Sequence, residues 1–365
     1  MFRNHMRIAY RNAAKSKVVT SINILGLALG VAACLLIATY VSHETSYDTW
    51  VTDSDRIYRM YGAYKIDGEV LQGAHFSANT ASTVDRDFDE IVQAARFMDN
   101  ELFYGAGENN IRWEGRQTQH REDGFTYADQ SMMELLDLPM VFGEKSTALA
   151  RPKSIVISES KAEKYFGATN PIGEVLYLNG NNDDPFVVSG VMSDFPTNSH
   201  LDYDFLITLT DVEFGEGEQT RWTQNNYFTY VKTKADVDYL SLQHKISDQL
   251  ISKYLGPAME EGCFRTIEEL QDMLDLKLQP LEDIHLNSGN ISDTYTRGNS
   301  RFVWLFAIVG ILILLIASIN FVNLMTARSA QRAKEVGMRK VLGSQRKQLV
   351  GQFLSESVLI TVFGF

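Results

Sequence analysis

The 365-residue sequence lacks the motifs that the common enzyme classes require. It has no G-x-x-x-x-G-K-[ST] loop to hold a nucleotide phosphate, and Gly143-Glu-Lys-Ser lacks the first glycine of that motif. It has no G-x-S-x-G motif, and its seven histidines show no pair at metal-ligand spacing, so His200 and His285 are interpreted as surface or packing residues. The sequence therefore predicts a protein that is not an enzyme, with no catalytic residue, no cofactor and no metal site.

Cysteine is also scarce, since the chain has only two. Cys34 falls in an apolar stretch, and Cys263 falls in the long polar segment that follows it. The two cannot pair within one chain, so we expect no disulfide framework. A domain of roughly 260 residues is large enough to fold without one.

Two long stretches contain no charged residue. Residues 18–41 form one of 24 positions, and residues 302–327 form one of 26. A helix needs about 20 apolar residues to cross the hydrocarbon core of a membrane, whereas a buried helix of a soluble protein is usually shorter and keeps a polar stripe. Both stretches therefore predict membrane-spanning helices. Residues 348–365 form a third apolar stretch, which we interpret as the start of a third span in a longer protein.

The distribution of charge predicts the orientation of these spans. Residues 1–17 carry five basic residues and no acid, and residues 328–347 carry seven basic residues against Glu335 alone. Of the 34 Lys and Arg and 46 Asp and Glu residues, 22 and 44 lie in segment 42–301, which gives that segment a formal charge of −22. Short basic flanks stay in the cytoplasm. We therefore expect a cytoplasmic N-terminus and a large acidic domain on the other side of the membrane.

Two features near the N-terminus predict lipid contact and helix packing. Basic residues recur every fourth position through residues 1–17, beside an apolar stripe, which favours an amphipathic helix on lipid headgroups over a plain positive flank. In the first span, Gly26 and Gly30 form a G-x-x-x-G motif that Cys34 continues on the same face. Small residues at this spacing allow two helices to approach closely.

Local patterns in segment 42–301 predict mixed α and β structure. We expect a helix with the apolar face Leu242, Ile246, Leu250 and Tyr254 to end at Gly256-Pro257. Thr266 and Glu269 have the spacing of a capping box for the next helix. Further predictions are a strand at Ser154–Ile157, a helix at Glu159–Phe166 ended by Gly167, a hairpin formed by Glu174–Leu178 and Phe186–Val191, and strands at Tyr227–Lys232 and Leu276–Leu281.

The basic segment 328–347 combines charge with apolar side chains. Its pattern predicts a short helix with Gly343 just past its end and a favourable Glu335–Arg339 pair. Val336, Met338 and Val341 are more apolar than a plain connector needs. The segment fits either a docking site for another protein or a turn that binds lipid headgroups.

Several segments together resemble the FtsX/MacB-like ABC transporter permeases. The strongest is Arg332-Ala-Lys-Glu-Val-Gly-Met-Arg-Lys-Val-Leu-Gly-Ser, followed by Gln352-Phe-Leu-Ser-Glu-Ser. Tyr47-Asp and Arg56-Ile-Tyr-Arg resemble the exit from the family's first span. The stretches that begin at Ser154-Ile-Val-Ile and at Phe195-Pro-Thr-Asn-Ser-His are similar to its periplasmic core domain. The resemblance covers nearly the whole chain in order.

This resemblance implies a membrane protein with an α-helical transmembrane bundle, here two complete spans and the start of a third, and a large inserted α+β extracytoplasmic domain. The implied organisation is a cytoplasmic helix (1–17), a first span (18–41), a MacB-like periplasmic core domain with porter-like and sabre-like parts (42–301), a second span (302–327), a cytoplasmic coupling segment (328–347) and the start of a truncated FtsX-like domain (348–365). The location implied is the bacterial inner membrane.

The resemblance also implies which residues contact a separate ABC ATPase subunit. The expected coupling residues are Arg332, Lys334, Glu335, Val336, Gly337, Met338, Arg339, Lys340, Val341 and Gly343. Glu356 lies in the third apolar stretch, where we expect it to pair with a cation such as Arg346 or Arg328. Other expected partners are a second permease unit (a homodimer or a second half of the full-length chain), membrane lipids and periplasmic proteins, with no nucleic acid.

The favoured hypothesis is a permease that converts ATPase motion into export or other mechanical work outside the cytoplasm. The alternative is a two-span sensor whose outer domain binds a ligand and signals inward. A sensor would be followed by a signalling region, whereas here a third apolar stretch follows a short loop. An anchored periplasmic enzyme is disfavoured because no nucleophile or metal constellation is present.

Overall fold

The structure is a computed structural model that describes residues 17–262, 265–293, 295, 297–331 and the later residues 337, 338, 341, 350, 351, 354, 358 and 361. The chain divides into two compact units, one of residues 1–45 with 300–365 and one of residues 46–299. Apart from Lys17, the predicted lipid-binding helix of residues 1–17 lies outside the described residues.

The described residues form nine bounded α-helices. In chain order these are α1 (Lys17–Glu44), α2 (Thr80–Asp87), α3 (Gln130–Leu135), α4 (Glu159–Phe166), α5 (Tyr239–Leu250), α6 (Gly256–Glu261), α7 (Ile267–Met273), α8 (Ile284–Asn287) and α9 (Ser300–Gln331).

Helices α1 and α9 include both charge-free stretches and are long enough to cross a membrane. Their apolar segments Thr20–Glu44 and Ser300–Ala327 contain 25 and 28 residues. At about 1.5 Å per residue these lengths exceed the hydrocarbon core of roughly 30 Å. Most large apolar side chains of the two helices are exposed in this structure, as expected for surfaces that meet lipid.

Small residues allow α1 and α9 to lie against each other. A Cβ atom added to Gly30 would lie 2.5 Å from the Cβ of Ala317, and one added to Gly310 would lie 3.1 Å from Ile37. Larger residues at either glycine would force the helices apart. Gly26 also faces α9, near the Asn320 side chain.

The unit of residues 46–299, called the outer domain or outer unit after its predicted orientation, has fourteen strands among its described residues. They are β1 (Ile57–Ile66), β2 (Glu69–Gly73), β3 (His75–Phe76), β4 (Ile91–Met98), β5 (Gly107–Trp113), β6 (His120–Ala128), β7 (Met140–Phe142), β8 (Ser154–Ser158), β9 (Val175–Leu178), β10 (Phe186–Met192), β11 (Phe205–Thr208), β12 (Tyr227–Thr233), β13 (Leu274–Pro280) and β14 (Ile291–Ser292). They form one sheet in the order β11-β8-β10-β9-β5-β6-β4-β12-β1-β2-β14, with β13 paired to β1, β3 to β12 and β7 to β10.

Six of these strands close into a ring, because β11 pairs with β6 as well as with β8. The ring β11-β8-β10-β9-β5-β6 encloses an aromatic and aliphatic core. Phe125 and Phe205 stack inside it with ring centroids 4.0 Å apart. Ring closure removes the sheet edges in this part of the domain.

The rest of the sheet carries helices on one face. Helices α2, α5 and α7 bury their apolar residues against strands β1, β12 and β13 in a second core. Of the predicted apolar face, Leu242, Ile246 and Leu250 are buried there, whereas Tyr254 lies beyond the end of α5 and is only partly buried. A third core, around Phe97, Phe228 and Tyr230, includes residues from both parts of the sheet. The domain thus combines a strand ring with an α/β layer.

Several local predictions for this domain are confirmed. Helix α4 has the predicted bounds, its cap Ser158 accepts a hydrogen bond from the Lys161 amide, and Gly167 ends it with φ of 61°. Strands β9 and β10 pair antiparallel, as the predicted hairpin requires. Thr266 and Glu269 form the predicted capping box at the start of α7.

The prediction that Gly256-Pro257 ends a helix is wrong. Helix α5 continues through a π-helical turn, Ile251–Leu255, into α6, which begins at Gly256. Proline is tolerated in the first turn of a helix, and the π turn alters the hydrogen bonding that Pro257 would otherwise interrupt. A Cβ on Gly256 would lie 2.7 Å from the Ile251 carbonyl oxygen, so glycine permits this close approach.

Candidate functional site

The predicted coupling segment is only partly described. Gly337, Met338 and Val341 are helical, and the Met338 and Val341 residues are 64% and 89% exposed. Arg332, Lys334, Glu335, Val336, Arg339, Lys340 and Gly343 lie outside the described residues, as does Glu356. Their roles stay predictions. Of the predicted packing residues, Gly26 and Gly30 face α9, whereas Cys34 is a half-buried free thiol.

The outer domain contains a buried polar network that we did not predict from sequence. Its members include residues close to both ends of the domain's chain segment. Asp48 lies four residues after the end of α1, and Asp293 and Arg297 lie shortly before the start of α9. We call this set, Asp48, Arg59, His200, Tyr230, Asp293 and Arg297, the junction network. It is the candidate functional site.

Arg59 of β1 and Asp293 form the ionic centre of the network. Arg59 Nη1 lies 2.7 Å from Asp293 Oδ2, and both side chains are fully buried. Arg59 Nη2 also donates to Gln279 Oε1 at 2.7 Å and to Ser288 Oγ at 3.0 Å. Arg297 Nη2 donates to the second oxygen of Asp293, also at 2.7 Å. The segment that precedes α9 is therefore fixed to the central strand β1 by charge-assisted hydrogen bonds.

Asp48 fixes the other end of the domain's chain segment. Its Oδ1 accepts from the His200 amide at 3.1 Å and lies 2.9 Å from His200 Nδ1. The Asp48 amide donates to the Asn198 carbonyl at 2.9 Å, and Asn198 Nδ2 donates to the Ser46 carbonyl at 2.8 Å. The segment that follows α1 is thereby held against the loop that contains His200.

Aromatic rings connect these two attachments. His200 Nε2 and the Tyr230 hydroxyl of β12 are hydrogen-bonded at 2.8 Å. The Tyr295 ring lies 5.2 Å from the His200 ring, and the Arg59 guanidinium lies 5.7 Å from the Tyr295 ring centre. Burial raises the pKa of Tyr230, so its hydroxyl stays protonated at neutral pH. Both chain junctions are thus attached to one region of the sheet.

A cavity of about 630 Å³ opens beside the network. His200 and Tyr295 line it together with Tyr203. The Tyr203 hydroxyl donates to Asp99 Oδ2 at 2.8 Å. Burial, together with the Asp99 carboxylate, raises the pKa of Tyr203 well above its usual value, which keeps this donor protonated.

Within the described residues, no group of His, Cys, Asp and Glu side chains is arranged to hold a metal ion. Of the two interpretations given for His200 and His285, packing is correct and surface exposure is not. Both are buried, and His285 stacks on Tyr47 with ring centroids 3.4 Å apart. Three segments that carried the family resemblance, Tyr47-Asp48, Arg56-Ile-Tyr-Arg59 and the Phe195–His200 stretch, contain network residues, but the resemblance does not indicate that they meet.

Comparison with protein families agrees with this architecture. The family model of the MacB-like periplasmic core domain matches residues 20–249, and the family model of the FtsX-like permease C-terminal domain matches residues 307–365. The chain therefore belongs to the family of ABC transporter permeases that carry a MacB-like periplasmic core domain.

Curated relatives include two macrolide export ATP-binding/permease proteins named MacB. The one from Bdellovibrio bacteriovorus is 21% identical over 99% of this chain and 52% of its own length, and the one from Chlorobium luteolum is 23% identical over 98% and 50%. YknZ of Bacillus subtilis, an uncharacterized ABC transporter permease, is 27% identical over 57% of this chain and 45% of its own. The chain spans about half the length of these relatives.

A solved structure has a related fold. It is a domain assigned to a permease protein from Porphyromonas gingivalis, and it matches with a TM-score of 0.50 at 19% identity. The match covers 68% of this chain and 93% of that domain.

Proposed function

We propose that this chain is a membrane subunit through which an ABC ATPase on another chain drives conformational work of a periplasmic domain. In this proposal α1 and α9 cross the inner membrane, the N-terminus is cytoplasmic and segment 42–301 is periplasmic. The junction network is the observation that carries the proposal. Mechanical coupling requires rigid attachments between the core of the outer domain and the chain next to each span. The junction network supplies such attachments.

The chemistry of the junctions favours transmission of force over flexible tethering. A linker rich in Gly and Ser would absorb a displacement of either helix. Here Asp48 and Asp293 are held by buried partners, and loss of one partner of a buried ion pair costs about 3–5 kcal/mol. A displacement of either junction would therefore move β1, β12 and the His200 loop before these contacts separated.

Two further observations support the permease hypothesis. The FtsX-like match begins within α9 and continues to residue 365, which fits a permease better than a two-span sensor. The excess of basic residues in segments 1–17 and 328–347 supports a cytoplasmic location for both. Segment 332–343 would then face the ATPase, and the exposed Met338 and Val341 are candidates for an apolar contact with it.

The experiment that tests this function uses the full-length protein coexpressed with its ATPase. Met338→Asp and Glu335→Arg are compared with wild type, and Glu163→Arg, an exposed change in the outer domain, is the control. Burial of an apolar side chain contributes about 1.5–3 kcal/mol, so Met338→Asp should weaken co-purification by about tenfold or more. ATPase stimulation should fall with it. Unchanged association in both coupling variants would contradict the proposed contact.

A further inference from the structure

The cavity beside the junction network is lined by carboxylates at its rim and by aromatic side chains at its floor. Four carboxylates line it, and no Lys or Arg is among its described lining residues. Aromatic side chains from different parts of the domain form its floor. The acids are Asp99, Glu101, Asp123 and Asp202, and the floor includes Tyr203 and Tyr295.

Two of the acids have defined positions. Asp99 accepts the hydrogen bond from Tyr203, which fixes its carboxylate at the cavity wall. Glu101 packs over Gly107, where an added Cβ would overlap Glu101 Cγ, and Gly107 has φ of 71°. A side chain at residue 107 would displace Glu101, so the glycine permits this rim position.

The electrostatic character of the cavity is negative. Burial lowers the pKa of His75, another lining residue, so its imidazole is mostly neutral at pH 7 and adds little positive charge. The nearby Arg59 is already paired with Asp293. The Tyr295 hydroxyl interacts with the Tyr203 and Tyr230 hydroxyls, so Tyr203 and Tyr295 form one connected, uncharged floor.

We propose that this cavity binds a small organic cation, with its apolar or aromatic body on the tyrosine floor and its positive charge beside the rim carboxylates. A volume of about 630 Å³ is in the range of small-molecule sites. Aromatic faces attract organic cations through their quadrupoles, and carboxylates neutralise the charge. A metal ion fits less well, since the described acids are not grouped for coordination.

The test measures binding of propidium, a water-soluble aromatic dication, to the purified full chain in neutral detergent. Anilinonaphthalene sulfonate, an aromatic anion, is the matched probe of opposite charge. The test variant is Glu101→Gln with Asp202→Asn, because both residues are exposed at the rim. The control is Glu163→Gln with Glu174→Gln, which removes the same charge from exposed positions elsewhere in the domain.

We expect saturable binding of propidium at one site, with affinity about tenfold weaker in the rim variant, since each carboxylate contributes a few-fold through its charge. The control variant should bind within about twofold of wild type, because exposed charges at a distance are screened by salt. Equal weakening in both variants would show general attraction to an acidic surface and would overturn the proposal. So would absence of saturable propidium binding, tighter binding of the anion, or displacement of propidium by micromolar Ca²⁺. The assay contains no ATPase, so this inference and the proposed coupling fail separately.

Discussion

Two buried ionic centres of the outer domain have similar chemistry and different connections. The junction centre joins Arg59 to Asp293, which is 234 residues away in the chain. The ring centre joins Glu122 of β6 to Lys161 and Lys164 of α4, both at 2.5 Å. The ring centre therefore connects neighbouring elements within one part of the domain, whereas the junction centre connects the chain before α9 to the central sheet.

The two centres also differ in their access to water. Arg59 and Asp293 are both fully buried, so neither charge can be solvated if the other is lost. In the ring centre Glu122 is buried, but the Lys164 side chain is 51% exposed. An exposed lysine recovers its hydration when its partner is removed. The comparison indicates that the ring centre stabilises a local element, and the junction centre fixes the position of a chain segment.

The largest expected effect comes from Asp293→Asn. This change leaves Arg59 buried without a counter-charge, so the free energy of unfolding of the domain should fall by about 3–5 kcal/mol. Urea unfolding of the full chain, followed by tryptophan fluorescence, measures this. Coupling should also be lost. In the complex with the ATPase, the rate of ATP hydrolysis should no longer respond to mechanical load on the outer domain. A loss below about 1 kcal/mol would show that the pair is not a structural constraint.

A smaller loss is expected from Glu122→Gln. This change removes a carboxylate that accepts charged hydrogen bonds from two lysines and a hydrogen bond from Tyr165. Hydrogen bonds to charged groups are each worth about 1.5–3 kcal/mol, and the exposed lysine recovers part of this from water. The free energy of unfolding should fall by about 1.5–3 kcal/mol, while coupling to the ATPase stays as in wild type. Loss of coupling in this variant would remove the distinction between the two centres.

The ring centre also predicts a dependence on acid. Burial alone would raise the pKa of Glu122, but hydrogen bonds from Lys161, Lys164 and Tyr165 lower it by more, to about 2. Because the folded-state pKa is below the ordinary value of 4.5, Glu122 stabilises the domain above pH of about 4.5, and this contribution is lost as pH falls toward 2. Unfolding curves across this range should converge for wild type and Glu122→Gln. Parallel curves would refute the assignment.

The smallest effect is expected from Glu90→Gln, which serves as the partly exposed reference for both centres. Glu90 pairs with Lys245 at 2.7 Å, and both side chains are partly exposed. Exposed pairs of this kind contribute about 0–1 kcal/mol. Thermal unfolding and ATPase coupling should therefore stay close to wild type. A loss as large as that of Asp293→Asn would mean that burial does not distinguish these pairs.

The sequence was informative where the controlling interactions are local. The cap at Ser158, the glycine at residue 167 and the capping box at Thr266 each depend on contacts within a few residues, and all three are present. The length of the two charge-free stretches likewise predicted two long helices. Helices α1 and α9 include both stretches. The Gly256-Pro257 prediction was wrong because a π turn, which local propensity does not indicate, carries the helix onward.

The candidate site could not be predicted because its contacts are distant in sequence. Arg59 lies in a strand where a charged residue is usually interpreted as solvent-facing, and its burial depends on Asp293 and Gln279. Asp48 and His200 are similarly separated by 152 residues. Closure of the strand ring depends on the β11–β6 pairing, for which no turn signal exists. The family resemblance marked three of these segments but did not show that they meet.

The most direct test of the account asks whether the chain after α1 is held rigidly to the outer domain. Spin labels at Thr49 and Glu163, both exposed and both in the outer unit, report this distance by pulsed electron resonance once Cys34 and Cys263 are replaced. In wild type, in complex with the ATPase, we predict a narrow distance distribution that is the same with and without ATP. In His200→Leu, which removes the bridge between Asp48 and Tyr230, the distribution should broaden. A broad distribution in wild type, or no broadening in the variant, would contradict the claim that the junction network transmits motion.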